Sequence, residues 1–346
     1  MLAPERAWPF STGTGVTVAV IDSGVDASVP QLRGRVLAGD SLDTSSDAGA
    51  ATADCLGHGT MVAGIIGAQK AAGTGFEGIA PGALILPVRI YSQNTTASST
   101  ALAAALIWAA DHGAKVVNIS ASADQPSDTL RAAVAYAQAH DVLIVAAAGN
   151  GFQQGDPVTY PASYPGVLAV GSIGADGHVA ATSQSGPFVS LVAPGENVLS
   201  LGTGGPGHVL DSGTSFAAPF VSGVAALVRS AYPGLSAAQV KNRLEQTADH
   251  PALPLPDAAY GWGVVDPYRA LTELLPSEDR TPAAAGAQTI PRPTTGDHSG
   301  HGNADLALAV FGGAALAVLL VFVATRAAAS GRARRRTPTS TPTSTS

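Results

Sequence analysis

Short apolar runs alternate with longer segments of helical periodicity from Thr14 onward. The runs are rich in β-branched residues and almost free of polar ones, as is typical of strands that are covered on both faces of a parallel sheet. Helical segments between such strands are the usual crossover connections. The pattern therefore predicts an α/β fold, in which a mostly parallel β-sheet has helices on both faces.

The apolar runs predict six strands, at residues 16–21, 84–90, 116–119, 142–146, 167–170 and 189–192. The helical segments predict five helices, at residues 60–67, 101–112, 130–140, 215–232 and 237–248. Ser236 is the predicted N-cap of the last helix, because a serine hydroxyl accepts a hydrogen bond from the first helical turn.

Composition divides the chain into a folded part and appendages. The 346 residues are 46% hydrophobic and 12% charged, with 40 Gly and 24 Pro, which suits buried strands joined by tight turns. The alternating pattern stops after Leu275. We therefore predict one large domain at residues 1–275 and a linker rich in Pro, Ala and Thr at residues 276–305.

Residues 306–325 (LALAVFGGAALAVLLVFVAT) contain no charge. A helix of 20 residues spans a hydrocarbon core of about 30 Å, so this segment is a predicted transmembrane helix. A buried core helix is the alternative, but the segment is isolated beyond a linker. Five arginines follow within the tail at residues 326–346, which predicts a cytoplasmic tail and an extracytoplasmic domain on a single-pass membrane protein.

The N-terminus gives no sign of export. Residues 1–10 (MLAPERAWPF) carry two charges and no apolar run, so they do not resemble a signal peptide, and we expect the natural start to lie upstream. With one cysteine, Cys55, the chain forms no intramolecular disulfide. The net charge of −7, with the basic residues of the tail set apart from an acidic body, does not suggest nucleic-acid binding.

Two motifs carry a carboxylate and an imidazole. The first predicted strand ends in AVIDSGV, which places Asp22 at the carboxyl edge of the sheet, where α/β proteins build their sites. His58 lies between two glycines in LGHGT, so a substrate backbone can approach its ring closely, as a general base requires. Taken singly, Asp22 could be a turn residue and His58 a solvated loop histidine.

Two further motifs supply a hydroxyl and an amide. Ser215, in DSGTSFAAP, begins a strongly apolar helix, whose free N–H groups would stabilise negative charge beside a nucleophile. Asn150, in AGNG, follows a buried strand, and its amide could donate to an oxyanion together with the N–H of Ser215. An N-cap serine and a turn asparagine are the structural alternatives.

The motifs around Asp22, His58 and Ser215, in this order, resemble those of the subtilisin family of serine proteases over about residues 16–271. The resemblance implies a subtilisin-like fold and hydrolysis of peptide bonds, with Ser215 as nucleophile, His58 as base, Asp22 as its orienting partner and Asn150 in the oxyanion hole. It implies a protein or peptide substrate, no cofactor and no catalytic metal.

The resemblance extends to the substrate-binding walls. Ser120, Ala121 and Ser122 correspond to one wall, although the glycine pair often found there is missing, and Ala148 and Gly149 correspond to the opposite wall. The preferred cleavage site does not follow from these residues. Four acids precede the histidine motif and are interpreted as solvated loop charges rather than calcium ligands, namely Asp40, Asp43, Asp47 and Asp54.

The sequence ADCLGHGT at residues 53–60, with the linker, helix and arginines, resembles the mycosins, membrane-anchored subtilisin-like proteases associated with type VII secretion systems. The partner implied is the secretion membrane complex. Mycosin cysteines at this position usually pair, but this chain has no second cysteine, so we expect Cys55 to be a free thiol. An alternative role is that of a scaffold subunit that stabilises the complex, with proteolysis secondary.

Overall fold

The structure is a computed structural model that describes residues 2–43, 49–92, 97–276 and 278. Its main sheet has seven strands, β1 (Thr17–Asp22), β2 (Asp40–Ser41), β3 (Leu84–Arg89), β4 (Val116–Ile119), β5 (Leu143–Ala147), β6 (Leu168–Ile173) and β7 (Val189–Pro194). The order across the sheet is β2-β3-β1-β4-β5-β6-β7, and every pairing is parallel. The six predicted strands are confirmed, and the two-residue strand β2 was not predicted.

The helices are α1 (His58–Gly67), α2 (Ser99–Asp111), α3 (Asp128–Ala139), α4 (Thr214–Ala231), α5 (Ala237–Gln246) and α6 (Pro267–Thr272). The five predicted helices are confirmed, with their ends displaced by two residues at most. Ser236 caps α5 in a capping box, because its side chain accepts from the N–H of Gln239 and its own N–H donates to the Gln239 side chain. The short helix α6 was not predicted.

Successive residues of β1 point into two separate cores, one on each face of the sheet. Val18 and Val20 belong to the core that also contains residues of α1, α4 and α5, whereas Ala19 and Ile21 belong to the core that contains residues of α2 and α3. This alternation is the two-residue period of a strand. It explains why the strands read as continuous apolar runs, and it confirms the prediction of helices on both faces.

The order of the strands reverses at β1. The chain passes from β1 to β3 on one side and then returns to place β4 on the other side. At such a switch point, the connections leave the sheet in opposite directions and open a crevice at the carboxyl ends of the strands. Asp22 is the last residue of β1 and therefore lies at this crevice.

An antiparallel hairpin of β8 (Val198–Leu201) and β9 (His208–Asp211) precedes α4 and was not predicted. Its tip is held by Asp26, whose carboxylate accepts from the N–H of Gly204 at 2.8 Å. The residues from Val209 to Asp211 are exposed. The hairpin thus leads the chain over the surface to the first turn of α4.

A buried arginine fixes the end of the described chain. Arg243 of α5 is fully buried, and its Nε donates to Oε1 of Glu278 at 2.8 Å, with a second bond from Nη2 to Oε2. Its Nη1 donates to the carbonyl of Ala270 at 2.7 Å. Packing against α5 therefore extends to Glu278.

No helix within the described residues is long and apolar enough to cross a membrane. The predicted transmembrane helix at residues 306–325 lies outside the described residues, as do the tail and nearly all of the linker. The membrane span and the domain boundaries stay predictions.

Candidate active site

Asp22 and His58 form a buried pair at the crevice. The carboxylate of Asp22 is fully buried, and its Oδ1 lies 2.7 Å from Nδ1 of His58, the first residue of α1. Because a carboxylate only accepts, Nδ1 carries the hydrogen and Nε2 is left to accept a proton. Gly59 permits this approach, since a Cβ there would lie 2.0 Å from the carbonyl oxygen of Gly24.

The surroundings of His58 set its basicity. Burial opposes the charged imidazolium, but the negative charge of Asp22 and its hydrogen bond outweigh burial, so the pKa of His58 is raised. The charges of Asp54 and Asp211 add to this effect. The imidazole is therefore a stronger base than an isolated histidine.

Asp54 holds the start of α1 and is not a solvated loop charge. The residue is 8% exposed, and its carboxylate accepts from the Ser23 hydroxyl at 2.9 Å and from the Thr60 N–H at 2.8 Å. Ser23 in turn accepts from the N–H of Gly59 at 3.0 Å. The carboxylate therefore joins the end of β1 to the first turn of α1, which fixes His58 relative to Asp22.

The prediction of solvated charges is also wrong for Asp43. Its side chain is 6% exposed and lies 3.8 Å from Nε of the buried Arg89. The Asp40 side chain accepts from the N–H of Ser41 at 2.9 Å and is half-buried, while Asp47 lies outside the described residues. The contact with a buried arginine thus explains why Asp43 is buried, although its polar sequence context predicted an exposed side chain.

Ser215 lies in the first turn of α4 and is tied to the end of β4. Its hydroxyl donates to the carbonyl of Ser120 at 3.0 Å, and the hydroxyl of Ser120 donates to the carbonyl of Ser215 at 2.7 Å. The ring of Phe216, the next residue, lies 5.1 Å from the imidazole of His58 between centroids. The structure therefore places His58 beside the first turn of α4, with the hydroxyl of Ser215 turned toward Ser120.

Asn150 follows β5, and its amide is oriented by α4. Its Oδ1 accepts from the N–H of Thr214 at 2.9 Å and lies 3.2 Å from the Thr214 hydroxyl. With the oxygen fixed there, the NH₂ group is left to donate elsewhere. Thr214 was not predicted as a site residue, because a threonine beside a serine gives no distinct sequence signal.

The two predicted walls follow neighbouring strands. Ser120, Ala121 and Ser122 come after β4, and Ala148 and Gly149 come after β5, which pairs with β4. Gly149 has a φ of 111°, and a Cβ there would lie 1.5 Å from the side-chain oxygen of Gln184. The wall therefore requires glycine at this position.

Asn118 holds the first wall in place through buried hydrogen bonds. Its Nδ2 donates to the Ser120 hydroxyl at 2.9 Å, and its Oδ1 accepts from the hydroxyl of Ser222 at 2.9 Å. All three side chains are buried. This polar network joins β4 to the interior of α4, so the wall and Ser215 are held as one unit.

Cys55 is a free cysteine, as expected, and the structure shows that it is exposed. It lies in the loop between Asp54 and His58. Its neighbour Leu56 is also exposed, at 44%. The loop therefore presents a thiol and an apolar side chain to solvent just before His58 in the chain.

Comparison with known proteins identifies the family. The model of the subtilase family matches residues 13–263. Mycosin-1 of Mycolicibacterium smegmatis is 39% identical over 79% of this chain and 71% of its own length, and a thermophilic serine proteinase of Bacillus sp. is 39% identical over 78% and 65%.

Solved structures agree with this assignment. A crystal structure of MycP1 with its N-terminal propeptide removed superposes with a TM-score of 0.69 at 39% identity, covering 80% of this chain and 97% of that one. A structure of the MycP3 protease from the type VII (ESX-3) secretion system gives 0.68 at 37% identity, covering 78% and 86%. This chain therefore belongs to the subtilase family and is a serine endopeptidase similar to the mycosins.

Proposed function

We propose that Asp22, His58 and Ser215 are the catalytic triad of this endopeptidase. The observation that carries the proposal is the 2.7 Å contact between buried Asp22 and the imidazole, which lies beside the first turn of α4. This contact sets the tautomer in which Nε2 accepts a proton. The raised pKa of His58 suits a general base.

In the first step, Oγ of Ser215 attacks the carbonyl carbon of the scissile peptide bond. The hydroxyl proton moves to Nε2 of His58, which then gives it to the leaving nitrogen as the C–N bond breaks. A water molecule next attacks the acyl-enzyme, and its proton passes through Nε2 back to Oγ as the carboxylate product leaves. Asp22 stays ionised and stabilises the imidazolium in both steps.

Asn150 and the N–H of Ser215 would stabilise the oxyanion that forms in each step. The anchoring of Oδ1 of Asn150 by Thr214 supports this role, because it fixes which end of the amide can donate. The N-terminus of α4 adds a favourable field for negative charge. We propose that the substrate chain lies between the wall of Ser120–Ser122 and the wall of Ala148 and Gly149.

The purified full chain provides the test of the triad. A fluorophosphonate probe should label the wild type but neither Ser215→Ala nor His58→Ala. Ser230→Ala is a matched control at the other end of α4, where the hydroxyl donates to the carbonyl of Thr14, and this variant should be labelled like the wild type. A wild type that folds but is not labelled, or labelling that survives in Ser215→Ala, would refute the triad.

We further propose that the enzyme is membrane-anchored and works with a type VII secretion system. The support is the uncharged segment at 306–325 with the arginines after it, and the similarity to mycosins. A MycP1 protease is described as an essential component of the type VII (ESX-1) secretion system. By analogy, a scaffold role is the second candidate, and it requires that Ser215→Ala still support assembly of the complex.

The single exposed cysteine makes the topology testable in cells. A membrane-impermeant maleimide should label Cys55 in intact cells, and Cys55→Ser should abolish the signal. In the Cys55→Ser background, Ser346→Cys should react only after permeabilisation. The opposite pattern would mean that the catalytic domain faces the cytoplasm.

A further inference from the structure

Tyr91 reaches the same carboxylate that orients His58. It lies two residues beyond β3, the strand that pairs with β1 next to Asp22. The residue is 6% exposed, and its hydroxyl donates to Oδ1 of Asp22 at 2.9 Å. The backbone is also fixed here, because the N–H of Ile90 donates to the carbonyl of Asp22 at 2.9 Å.

The hydrogen bonds that the Asp22 carboxylate makes with the described residues are all made at one of its two oxygens. Oδ1 accepts from the N–H of Ser23 at 2.7 Å, from the imidazole of His58 at 2.7 Å and from the hydroxyl of Tyr91. Oδ2 is buried and has no hydrogen-bond partner among the described residues. Within the part of the chain that the structure describes, Tyr91 is thus one of two side chains, with His58, that hold this carboxylate in place.

We propose that Tyr91 is a positioning residue of the catalytic site, which fixes the rotation of the Asp22 carboxylate and shares its negative charge with His58. The inference rests on the proposed triad. The role follows from the convergence of the two donors on one oxygen, since a carboxylate that lost one donor could turn toward its unpartnered oxygen. Such a turn would move the acceptor away from Nδ1 of His58.

Tyr91 remains a neutral donor throughout the working pH range. Burial first, and then the charge of Asp22 and the hydrogen bond, raise the pKa of Tyr91 above its usual range. A donor to Asp22 withdraws part of the charge that stabilises the imidazolium. Labelling proceeds from molecules in which the carboxylate still accepts from Nδ1, and in these molecules loss of the Tyr91 donor should raise the pKa of His58 further, while the charges of Asp54 and Asp211 that also face the imidazole stay unchanged.

The test compares Tyr91→Phe with the wild type in the full chain, by the rate of fluorophosphonate labelling as a function of pH. The ring is kept and one oxygen is removed. Because a hydrogen bond to a charged group is lost, we expect the plateau rate to fall about 10-fold. Since the reacting form has neutral His58, the acidic limb should move to higher pH by roughly half a unit.

Tyr164→Phe is a matched control. Tyr164 is also buried, and its hydroxyl donates to the carbonyl of Ser127 at 2.9 Å and accepts from the N–H of Ser127 at 2.8 Å. Loss of its hydroxyl removes hydrogen bonds to the backbone of Ser127 and none to Asp22. We expect an unchanged acidic limb for this variant, so a shift in Tyr91→Phe alone reports on the site.

Three outcomes decide the proposal. A Tyr91→Phe protein with the wild-type plateau and limb would mean that Tyr91 only fills the core, and would overturn the positioning role alone. An inert wild type would overturn the triad and this role with it. If Tyr91→Phe does not fold, 3-fluorotyrosine placed at position 91 donates more strongly and should move the limb to lower pH, whereas an unmoved limb would overturn the role.

Discussion

Asp54→Asn should destabilise the domain, although it changes one atom of a loop residue. Oδ1 of Asp54 accepts from the Ser23 hydroxyl and from the N–H groups of Leu56 and Gly57, and Oδ2 accepts from the N–H of Thr60 at 2.8 Å and its hydroxyl at 2.7 Å. An asparagine has one acceptor oxygen. If that oxygen keeps the first set of donors, the amide nitrogen faces the N–H of Thr60.

The magnitude follows from this mismatch. Thr60 is fully buried, so its N–H would lose its acceptor without gaining water, which costs about 1–3 kcal/mol. The donors that remain also exchange a charged acceptor for a neutral one. A total loss of about 3 kcal/mol corresponds to a drop in Tm of roughly 6–12 °C for a domain of this size.

Thermal unfolding followed by circular dichroism checks this value. Asp128→Asn is the matched control, because Asp128 also lies at the start of a helix but its side chain is 96% exposed, and the change should cost less than about 0.5 kcal/mol. The labelling rate of Asp54→Asn should also fall, since His58 begins the helix that Asp54 holds. A Tm within about 2 °C of the control would refute the reasoning.

Three further predictions concern catalysis, pH and stability. Asn150→Ala should lower the fluorophosphonate labelling rate by about 10²–10³, because it removes one oxyanion donor, and it should also lower the Tm, because the N–H of buried Thr214 loses its acceptor. The raised pKa of His58, caused by Asp22 against the effect of burial, means that labelling should decline with falling pH through a midpoint above the ordinary histidine value of about 6.5, as a rate profile would measure. Glu278→Ala should lower the free energy of unfolding in urea by about 3–5 kcal/mol, since Arg243 would be left buried without its counter-charge.

The strands could be predicted because both faces of the sheet are covered. Residues such as Val18 and Ala19 point to opposite faces and are both fully buried, so no polar residue interrupts the run. The hairpin of β8 and β9 gives no such signal. Its second strand is exposed at Val209 and Leu210, so apolar content there does not reflect burial.

The candidate catalytic residues could be predicted from local motifs, but the residues that hold them in place could not. Asp22, His58 and Ser215 each lie in a distinctive local sequence. Tyr91 contacts Asp22 across 69 positions of the chain, and Asp54 contacts Ser23 across 31. A tyrosine after an apolar strand is typical of core packing and an acid in a polar loop is typical of solvent exposure, so only the tertiary contacts distinguish these two residues.

The contact between Ser120 and Ser215 fixes the backbone of Ser215 but leaves its side chain free to rotate about one bond. The Ser120 hydroxyl fixes the backbone of Ser215, and Asn118 fixes that hydroxyl in turn. The Ser215 side chain, by contrast, donates to a backbone carbonyl and can leave it by rotation about one bond. In the proposed mechanism this hydroxyl turns toward His58, and rotation about its side-chain torsion releases it from the carbonyl of Ser120 without a movement of α4. The buried network thus holds the backbone of the proposed nucleophile in position, and its proposed reactivity depends on which acceptor the hydroxyl faces.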